Sequence, residues 1–333
     1  MTTTHSSTGR LHPELPAILF EFATQSCDAT SADKISARVI PAGKAVTRTI
    51  KEKPTVPSTT TPVAALKGAT LYLRPNGEAY YTRSWGEHDD VNVLREGRAG
   101  GLYSLIYGEP GCGKTALVEA AFAEESGGLF TVLGSGDTEV ADLVGGYVQT
   151  PSGNFVWEDG PLVKAAEAGG TLLVDEIGLI DTKVLAVMYG LMDGRREYTV
   201  TANPERGTVK AQSGFYVVAA TNPNAPGVRL SEALLSRFLL QVEMTTDWSL
   251  ARKLGVPTQM VTVGQNLSKK RTSNEVSWCP QMRELLGFRD IETRFGTKFA
   301  ISNLLAAAPE IDRPTVADVF SRVYGEPCLP AKI

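Results

Sequence analysis

The sequence predicts an α/β protein, with a mostly parallel sheet covered by helices on both faces and a small all-helical domain after it. From Leu102 to about Val242, short apolar runs alternate with helical patterns, which is typical of a parallel sheet. After Asp247 the strand patterns stop and only helical patterns follow. A chain of 333 residues has room for one large and one smaller domain.

Composition divides the chain into three regions. Residues 1–65 are rich in Thr, Ser, Ala and Pro, as in 54–62, and offer little apolar surface to offset the entropy of ordering. We therefore predict a poorly ordered N-terminal arm, in which only Leu15–Ala23 has the pattern of a short helix. The α/β domain is assigned to residues 66–245 and the helical domain to residues 246–333.

Local signals predict several element boundaries. The Asn76-Gly77 pair between two β-rich runs predicts a hairpin. Asp181 is expected to cap a helix whose apolar residues face inward, and another helical pattern ends at Gly255. Thr315 is predicted to cap the last helix.

Composition also narrows the class of protein. The formal net charge of −4 gives no general attraction to nucleic acid or to an anionic membrane. The cysteines are scattered without a CxxC pair, which argues against a disulfide framework or a zinc site. No signal peptide and no apolar run of membrane-spanning length occurs. We expect a soluble cytoplasmic protein without a membrane partner.

One segment matches the phosphate-binding pattern G-x-x-x-x-G-K-[ST]. The β-run Leu102–Tyr107 precedes it and a helical run follows, as such a loop requires. Inward-facing backbone N–H groups and the helix N-terminus would hold phosphate oxygens. Lys114 would reach the β- and γ-phosphates, staying solvated until they arrive, and Thr115 would bind Mg²⁺. The predicted nucleotide-binding residues are Gly108, Glu109, Pro110, Gly111, Cys112, Gly113, Lys114 and Thr115.

Two acids follow the apolar strand pattern Thr171–Val174. At the carboxyl end of a strand they would lie beside the crevice where ligands bind in α/β sheets. Asp175 would hold Mg²⁺, and Glu176 would orient and deprotonate the attacking water. Such a pair can also be a helix cap, but the phosphate-binding loop favours the catalytic interpretation.

A third apolar strand pattern, Phe215–Thr221, ends at Asn222. The amide of this residue could hold a water molecule between Glu176 and the γ-phosphate. The alternative is a turn-forming Asn before Pro223, and the spacing alone does not decide between the two.

In this order the motifs resemble those of AAA+ ATPases, in particular the MoxR/CbbQ/NorQ branch with its dynein- and midasin-related members. The resemblance spans about residues 69–325 and implies a P-loop NTPase αβα core with a helical lid, ATP and Mg²⁺ as ligands, and ATP hydrolysis. Its clearest stretches are Gly108–Thr115, Asp142–Leu162, Thr171–Ile177, Phe215–Asn222 and Leu230–Phe238.

The resemblance also implies roles for three polar residues. Asn222 takes the place of the sensor 1 residue, and Arg237 that of the arginine finger. Arg283 falls near the sensor 2 arginine, which would contact the nucleotide from a lid helix. The family usually reads Ser-Pro-Arg or Ser-Thr-Arg there, whereas Cys279-Pro-Gln-Met-Arg283 has intervening residues, so a surface arginine stays an alternative. The predicted catalytic residues are Lys114, Glu176, Asn222 and Arg237.

Two predicted hairpins, at residues 147–157 and 198–210, resemble the helix-2 insert and the pre-sensor hairpin of this branch. In the family these hairpins project toward the pore or face of a ring. Their sequences are equally typical of plain surface hairpins, so the pore role is implied by the resemblance alone.

The resemblance implies a homo-oligomeric ring, expected to be a hexamer, that couples ATP hydrolysis to remodelling or activation of a partner protein. Relatives often work with a partner carrying a von Willebrand A domain, which here would come from another chain. One alternative is a motor subunit of the cobaltochelatase type. Another is a nucleic-acid-associated motor, which the net charge disfavours but which Arg206 and Lys210 keep open.

Overall fold

A computed structural model describes residues 70–331 of the protein. The predicted arm at residues 1–65 and the short helix predicted at Leu15–Ala23 lie outside the described residues. Strands β1 and β2 pair in antiparallel fashion across the Asn76-Gly77 turn, which confirms the hairpin predicted there. The first elements are β1 (Leu71–Leu73), β2 (Ala79–Tyr81), β3 (Ser84–Trp85), β4 (His88–Asp89) and α1 (Asp90–Ala99).

The part of the chain between residues 104 and 243 contains the main sheet, two further hairpins and several short helices. Its strands are β5 (Ser104–Tyr107), β6 (Leu129–Leu133), β7 (Gly145–Gln149), β8 (Phe155–Asp159), β9 (Thr171–Asp175), β10 (Glu197–Thr199), β11 (Thr208–Lys210), β12 (Tyr216–Thr221) and β13 (Leu240–Glu243). Its α-helices are α2 (Lys114–Phe122), α3 (Val140–Val144), α4 (Pro161–Ala168), α5 (Thr182–Leu185), α6 (Tyr189–Met192) and α7 (Glu232–Leu235).

Five of these strands form one parallel sheet in the order β13-β5-β12-β9-β6. All six residues of β12 are buried, so both faces of the sheet are covered at its centre. Tyr216 of β12 packs edge-on against Phe122 of α2 with 5.6 Å between ring centroids, while its hydroxyl bonds to Ser104 Oγ at 2.6 Å. This architecture confirms the predicted α/β class.

A second hydrophobic cluster forms within the C-terminal helices. These are α8 (Trp248–Lys253), α9 (Thr258–Thr272), α10 (Met282–Phe295), α11 (Thr297–Ala307) and α12 (Arg313–Tyr324). They form the helical region that was predicted to follow the sheet. None of the helices between residues 70 and 331 combines the length and apolar character needed to cross a bilayer.

The helix caps agree with the sequence in one case and differ in another. Asp181 caps α5 as predicted, accepting the N–H of Lys183 at 2.8 Å. The last helix, however, begins at Arg313 with Asp312 as its N-cap, so Thr315 lies inside the first turn. Pro314 accounts for the difference, because proline favours the first turn of a helix, where its missing N–H costs nothing.

The hairpins β7–β8 and β10–β11 are antiparallel, and one arginine joins them. Arg206, in the loop of the second hairpin, donates to Asp159 at the end of the first at 2.9 Å and pairs with Glu167 of α4 at 2.7 Å. Its hydrogen bonds to these two carboxylates raise the pKa of Arg206. The charge of Arg206 is therefore paired with carboxylates of its own chain.

The burial pattern predicts unequal effects of two leucine truncations. Leu173 in β9 is fully buried, whereas Leu133 at the end of β6 is 72% exposed. Leu173→Ala should lower the free energy of unfolding by about 2–5 kcal/mol, because it leaves a cavity between packed layers. Leu133→Ala should change it by less than about 0.5 kcal/mol. Urea denaturation followed by circular dichroism measures both, and equal losses would contradict the burial of Leu173 between the packed layers.

Candidate nucleotide site

Three neighbouring strands end at the same edge of the sheet. Because β5, β12 and β9 lie side by side and run parallel, the residues that follow their carboxyl ends meet in one crevice. The loop Gly108–Thr115 follows β5, Asp175 ends β9 with Glu176 after it, and Asn222 follows β12. The structure thus brings together the motif residues predicted from three separate segments.

The loop after β5 depends on glycine. The Gly108 N–H donates to the Thr221 carbonyl at 3.2 Å, and a Cβ on Gly108 would lie only 2.2 Å from the Met244 carbonyl oxygen. Gly113 has a φ of 106°, a region that favours glycine. Helix α2 begins at Lys114, so its N-terminus opens onto the loop and favours an anion there.

Lys114 is buried, contrary to the expectation of a solvated charge. It is 6% exposed, and its Nζ donates to the carbonyl oxygens of Gly108 at 2.8 Å and of Glu109 at 3.2 Å. These carbonyls replace part of the hydration that an ammonium group loses on burial. The loop itself therefore holds the ammonium group in position.

Thr115 and Asp175 converge as a metal site would require. The Thr115 hydroxyl donates to Asp175 Oδ2 at 2.7 Å, and the Glu176 N–H donates to Oδ1 at 3.0 Å. Hydroxyl and carboxylate oxygens are ligands that Mg²⁺ prefers. Between residues 70 and 331 no cluster of three or more His, Cys, Asp or Glu could hold a metal.

Glu176 directly follows Asp175, and Asn222 follows the end of the neighbouring strand β12. The Glu176 backbone is left-handed, with φ 50° and ψ 40°, a conformation that is uncommon for non-glycine residues and concentrated at functional sites. Asn222 is buried, and its side-chain oxygen accepts the Asn224 N–H at 3.2 Å, the turn-forming bond considered from the sequence. Since β12 separates β5 from β9, Asn222 lies between the phosphate-binding loop and the acids.

Arg283 also lies against the loop, but through its backbone. Its N–H donates to the Gly111 carbonyl at 3.1 Å, and a Cβ on Gly111 would come within 3.0 Å of the Arg283 Cβ. The residue belongs to the first turn of α10, and overall it is exposed to solvent. The helical region therefore contacts the phosphate-binding loop directly.

Sequence reasoning missed a second contact between the helical region and the loop. Glu109 Oε1 accepts from Arg271 of α9 and from Asn224 Nδ2, the latter at 2.9 Å. Partial burial raises the pKa of Glu109, but the hydrogen bonds from Arg271 and Asn224 outweigh it, so the pKa lies below its usual value. In the sequence, the one indication of this contact is that an acid, Glu109, occupies a position of the loop pattern that admits any residue.

Arg83 is another residue that the sequence did not identify. It donates to the Cys112 carbonyl at 2.7 Å and to the Thr245 carbonyl at 3.2 Å. A cavity of about 350 Å³ adjoins it, with Leu117 of α2 and Met244 also in its wall. Arg83 thus links the phosphate-binding loop to an open space large enough for part of a ligand.

The remaining loop side chains contribute less to the site. Cys112 is fully buried, and burial raises the pKa of its thiol, so its main chain rather than a thiolate is available to a ligand. Pro110 is exposed to solvent.

The structure does not bring Arg237 to the other predicted residues. Arg237 precedes β13, whose first residue Leu240 pairs with Ser104, the first residue of β5, whereas the phosphate-binding loop follows the last one, Tyr107. The length of a four-residue strand, about 13 Å, separates these two edges of the sheet. The Arg237 guanidinium instead lies over the ring of Tyr189 in α6, 4.2 Å from its centroid.

Comparisons with known proteins agree with this geometry. The sequence profile described as "AAA domain (dynein-related subfamily)" matches residues 104–238. Protein NorQ of Paracoccus denitrificans is 30% identical over 230 residues, which cover 68% of this chain and 81% of NorQ.

Two further relatives match smaller shares. Denitrification regulatory protein NirQ of Stutzerimonas stutzeri is 36% identical over 49% of this chain and 56% of its own length. Midasin of Giardia intestinalis is 35% identical over 40% of this chain and only 3% of its own length. With the matched profile, the similarity across most of NorQ and a phosphate-binding loop between β5 and α2, the chain belongs to the AAA+ ATPases, in their MoxR-like branch.

Proposed function

We propose that this protein binds ATP at the loop Gly108–Thr115 and hydrolyses it, and that rings of the chain use hydrolysis to remodel or activate a partner protein. The observation that carries the proposal is the contact between Thr115 and Asp175, 2.7 Å long, with Glu176 directly after Asp175 and Asn222 at the end of the neighbouring strand. It joins the loop to the acidic strand end in the arrangement that nucleotide hydrolysis needs.

The loop side chains bind the phosphates. Two carbonyl groups already direct Lys114 into the loop. The ammonium group could therefore donate to a γ-phosphate oxygen instead, with little reorganisation. Backbone N–H groups and the α2 N-terminus hold the remaining oxygens. The cavity next to Arg83 would accept the nucleobase.

Thr115 and Asp175 would hold Mg²⁺. When bound, the ion neutralises charge on the β- and γ-phosphates. Asp175 accepts hydrogen bonds on both carboxylate oxygens, which fixes the orientation of the carboxylate. The fold thus holds the Thr115 hydroxyl and the Asp175 carboxylate next to each other, where both could bind the ion.

Glu176 acts as the general base. Glu176 lies at the left-handed turn directly after Asp175, and from there its carboxylate would accept a proton from a water molecule beside the γ-phosphate. The Asn222 amide, on the neighbouring strand end, orients the same water molecule. Neither residue is a phosphate ligand, so both act on chemistry rather than on binding.

Arg237 completes the site of a neighbouring subunit. Its position at the opposite edge of the sheet from its own loop supports a role in trans. A guanidinium supplied by a neighbour can stabilise the charge on the transferring phosphoryl group. A closed ring, expected to contain six subunits, gives every site such a neighbour.

The hairpin β7–β8 supports the assignment of a protein client. Its apolar side chains Tyr147, Val148, Phe155 and Val156 are each more than 40% exposed. Such exposure suits contact with another protein. The client or its adaptor would be a separate chain, for which a von Willebrand A domain protein is the first candidate.

The alternatives differ mainly in the client. A chelatase motor subunit would use the same nucleotide site with different companions. The nucleic-acid motor loses support, because Arg206 is paired with Asp159 and Glu167, which leaves Lys210 as the exposed cation of the two that suggested it.

Replacing Lys114 with alanine should abolish most ATP affinity. The ammonium group is a principal charge facing the phosphates, so the dissociation constant should rise by about 100-fold or more. Isothermal titration calorimetry measures the change, with Lys183→Ala, at an exposed position, as the matched control. Near-normal binding by Lys114→Ala would exclude the site.

Glu176→Gln should separate binding from chemistry. The amide keeps the shape but cannot take a proton, so ATP should bind normally while turnover falls by about 100-fold or more. Phosphate release measures turnover, and the exposed Glu124→Gln serves as control. Unchanged turnover would reduce Glu176 to a helix cap.

Glu176→Gln, which should bind ATP without hydrolysing it, can also be used to isolate the client. Lys114→Ala, which should not bind ATP, is the control for this capture.

Arg237→Ala should bind ATP normally and hydrolyse it about 1,000-fold more slowly. Mixing it with Lys114→Ala should restore activity, because the second variant lends its intact arginine to the first variant's intact nucleotide site. Arg322→Ala, on the lid surface, is the control for loss of a charge. Slow turnover without rescue, in mixtures shown to exchange subunits, would contradict a shared site.

A further inference from the structure

Arg237 is held by an aromatic ring of its own chain. Its Cζ lies 4.2 Å from the centroid of the Tyr189 ring, within the range of a cation–π interaction. Its Nη1 also donates to the carbonyl of Ala233. The Arg237 Nε is buried and has no hydrogen-bond partner in the described part of the chain. The Tyr189 ring is therefore a main contact of the guanidinium.

The ring is itself tied to the segment that carries the arginine. The Tyr189 hydroxyl and Ser231 Oγ share a hydrogen bond of 3.1 Å. Ser231 is the N-cap of α7, and Arg237 follows the end of that helix by two residues. Tyr189 also packs on the main hydrophobic core. Ring, helix and guanidinium are therefore held as one unit.

The nearest acid is a weak partner for Arg237. Asp193 Oδ2 is 4.0 Å from Arg237 Nη2, but Arg195 binds the same carboxylate at 2.9 Å. Hydrogen bonds from Arg195 lower the pKa of Asp193. A close carboxylate would compete with a phosphate for the guanidinium, whereas a ring face orients the cation and leaves its charge available.

We propose that Tyr189 is a positioning residue for Arg237: its ring presents the guanidinium to the nucleotide bound by the neighbouring subunit. The inference rests on the proposed role of Arg237 in trans. A cavity lined in part by Tyr189, Arg195 and Tyr198 adjoins the ring. Tyr189 itself contacts neither nucleotide nor metal.

Removal of the ring tests the inference. Tyr189→Leu should lower kcat about 10-fold with an unchanged Kd for ATP, because the arginine samples orientations that do not reach the phosphate. Tyr189→Phe is the matched control: it keeps the ring face, loses the Ser231 hydrogen bond and should turn over within about 2-fold of the unaltered protein. Thermal unfolding of both variants checks that the fold is intact.

Mixing experiments separate a positioning role from a structural one. Tyr189→Leu has an intact nucleotide site, so Lys114→Ala, which has an intact arginine and ring, should restore its turnover. Arg237→Ala subunits should not restore it, since they lend no arginine. A structural fault in the nucleotide site of Tyr189→Leu would not respond to either partner.

The outcomes also distinguish this inference from the proposed function. If Arg237→Ala turns over normally, the role in trans fails and the role of Tyr189 fails with it. If Arg237→Ala is slow but Tyr189→Leu is normal or faster, only the role of Tyr189 is overturned. Slow Tyr189→Leu that Lys114→Ala fails to rescue, in mixtures where it rescues Arg237→Ala, overturns that role as well.

Discussion

The register of three parallel strands is the constraint on which the rest of the site depends. Thr221 at the end of β12 is paired with Tyr107 at the end of β5, and Ala219 with Val174 of β9. The residues that follow these three strands are therefore neighbours. The hydrogen bond from the Gly108 N–H to the Thr221 carbonyl joins the end of β5 to the end of β12. A slip of one residue would reverse the direction of every side chain in the strand. Complete burial of β12 on both faces makes such a slip costly.

The helical region depends on the same loop. Glu109 accepts hydrogen bonds from Arg271 of α9 and from Asn224, which follows β12, while the Arg283 N–H binds the Gly111 carbonyl. A loop that adjusts to a nucleotide would thus move groups on α9, on α10 and in the segment after β12 at once. Energetic coupling between the nucleotide site and the helical region would need a contiguous set of contacts with more than one arrangement. The contacts of Glu109 and Gly111 are the first candidates for such a set.

Local patterns predicted the parts of the site that are contiguous in sequence. The loop, the strand that ends at Asp175 and the strand before Asn222 each combine an apolar run with a polar end, so one segment suffices to identify each. Arg83 and Arg271 could not be found in this way, because their partners are distant in the chain and surface arginines are common. The burial of Lys114 was missed for a related reason: it depends on carbonyl groups whose direction only the folded loop determines. The last helix has Asp312 rather than Thr315 as its N-cap for a local reason: the preference of Pro314 for the first turn outweighed the capping preference of Thr315.

The position of Arg237 has a consequence for what a single chain can do. Parallel strands place the residues before β13 and the residues after β5 at opposite edges of one rigid sheet, and no side-chain rotation bridges them. If Arg237 acts as proposed, the part of the phosphoryl charge that it stabilises belongs to a nucleotide bound by another chain. Under that proposal, a lone subunit with all its own motifs intact would be an incomplete catalyst. Neighbouring subunits that rotate relative to one another would make or break this contact, and hydrolysis would follow the geometry of the assembly. An arginine held on a neutral ring suits the proposed arrangement, because the ring orients the guanidinium without neutralising the charge that a neighbour's phosphate would need.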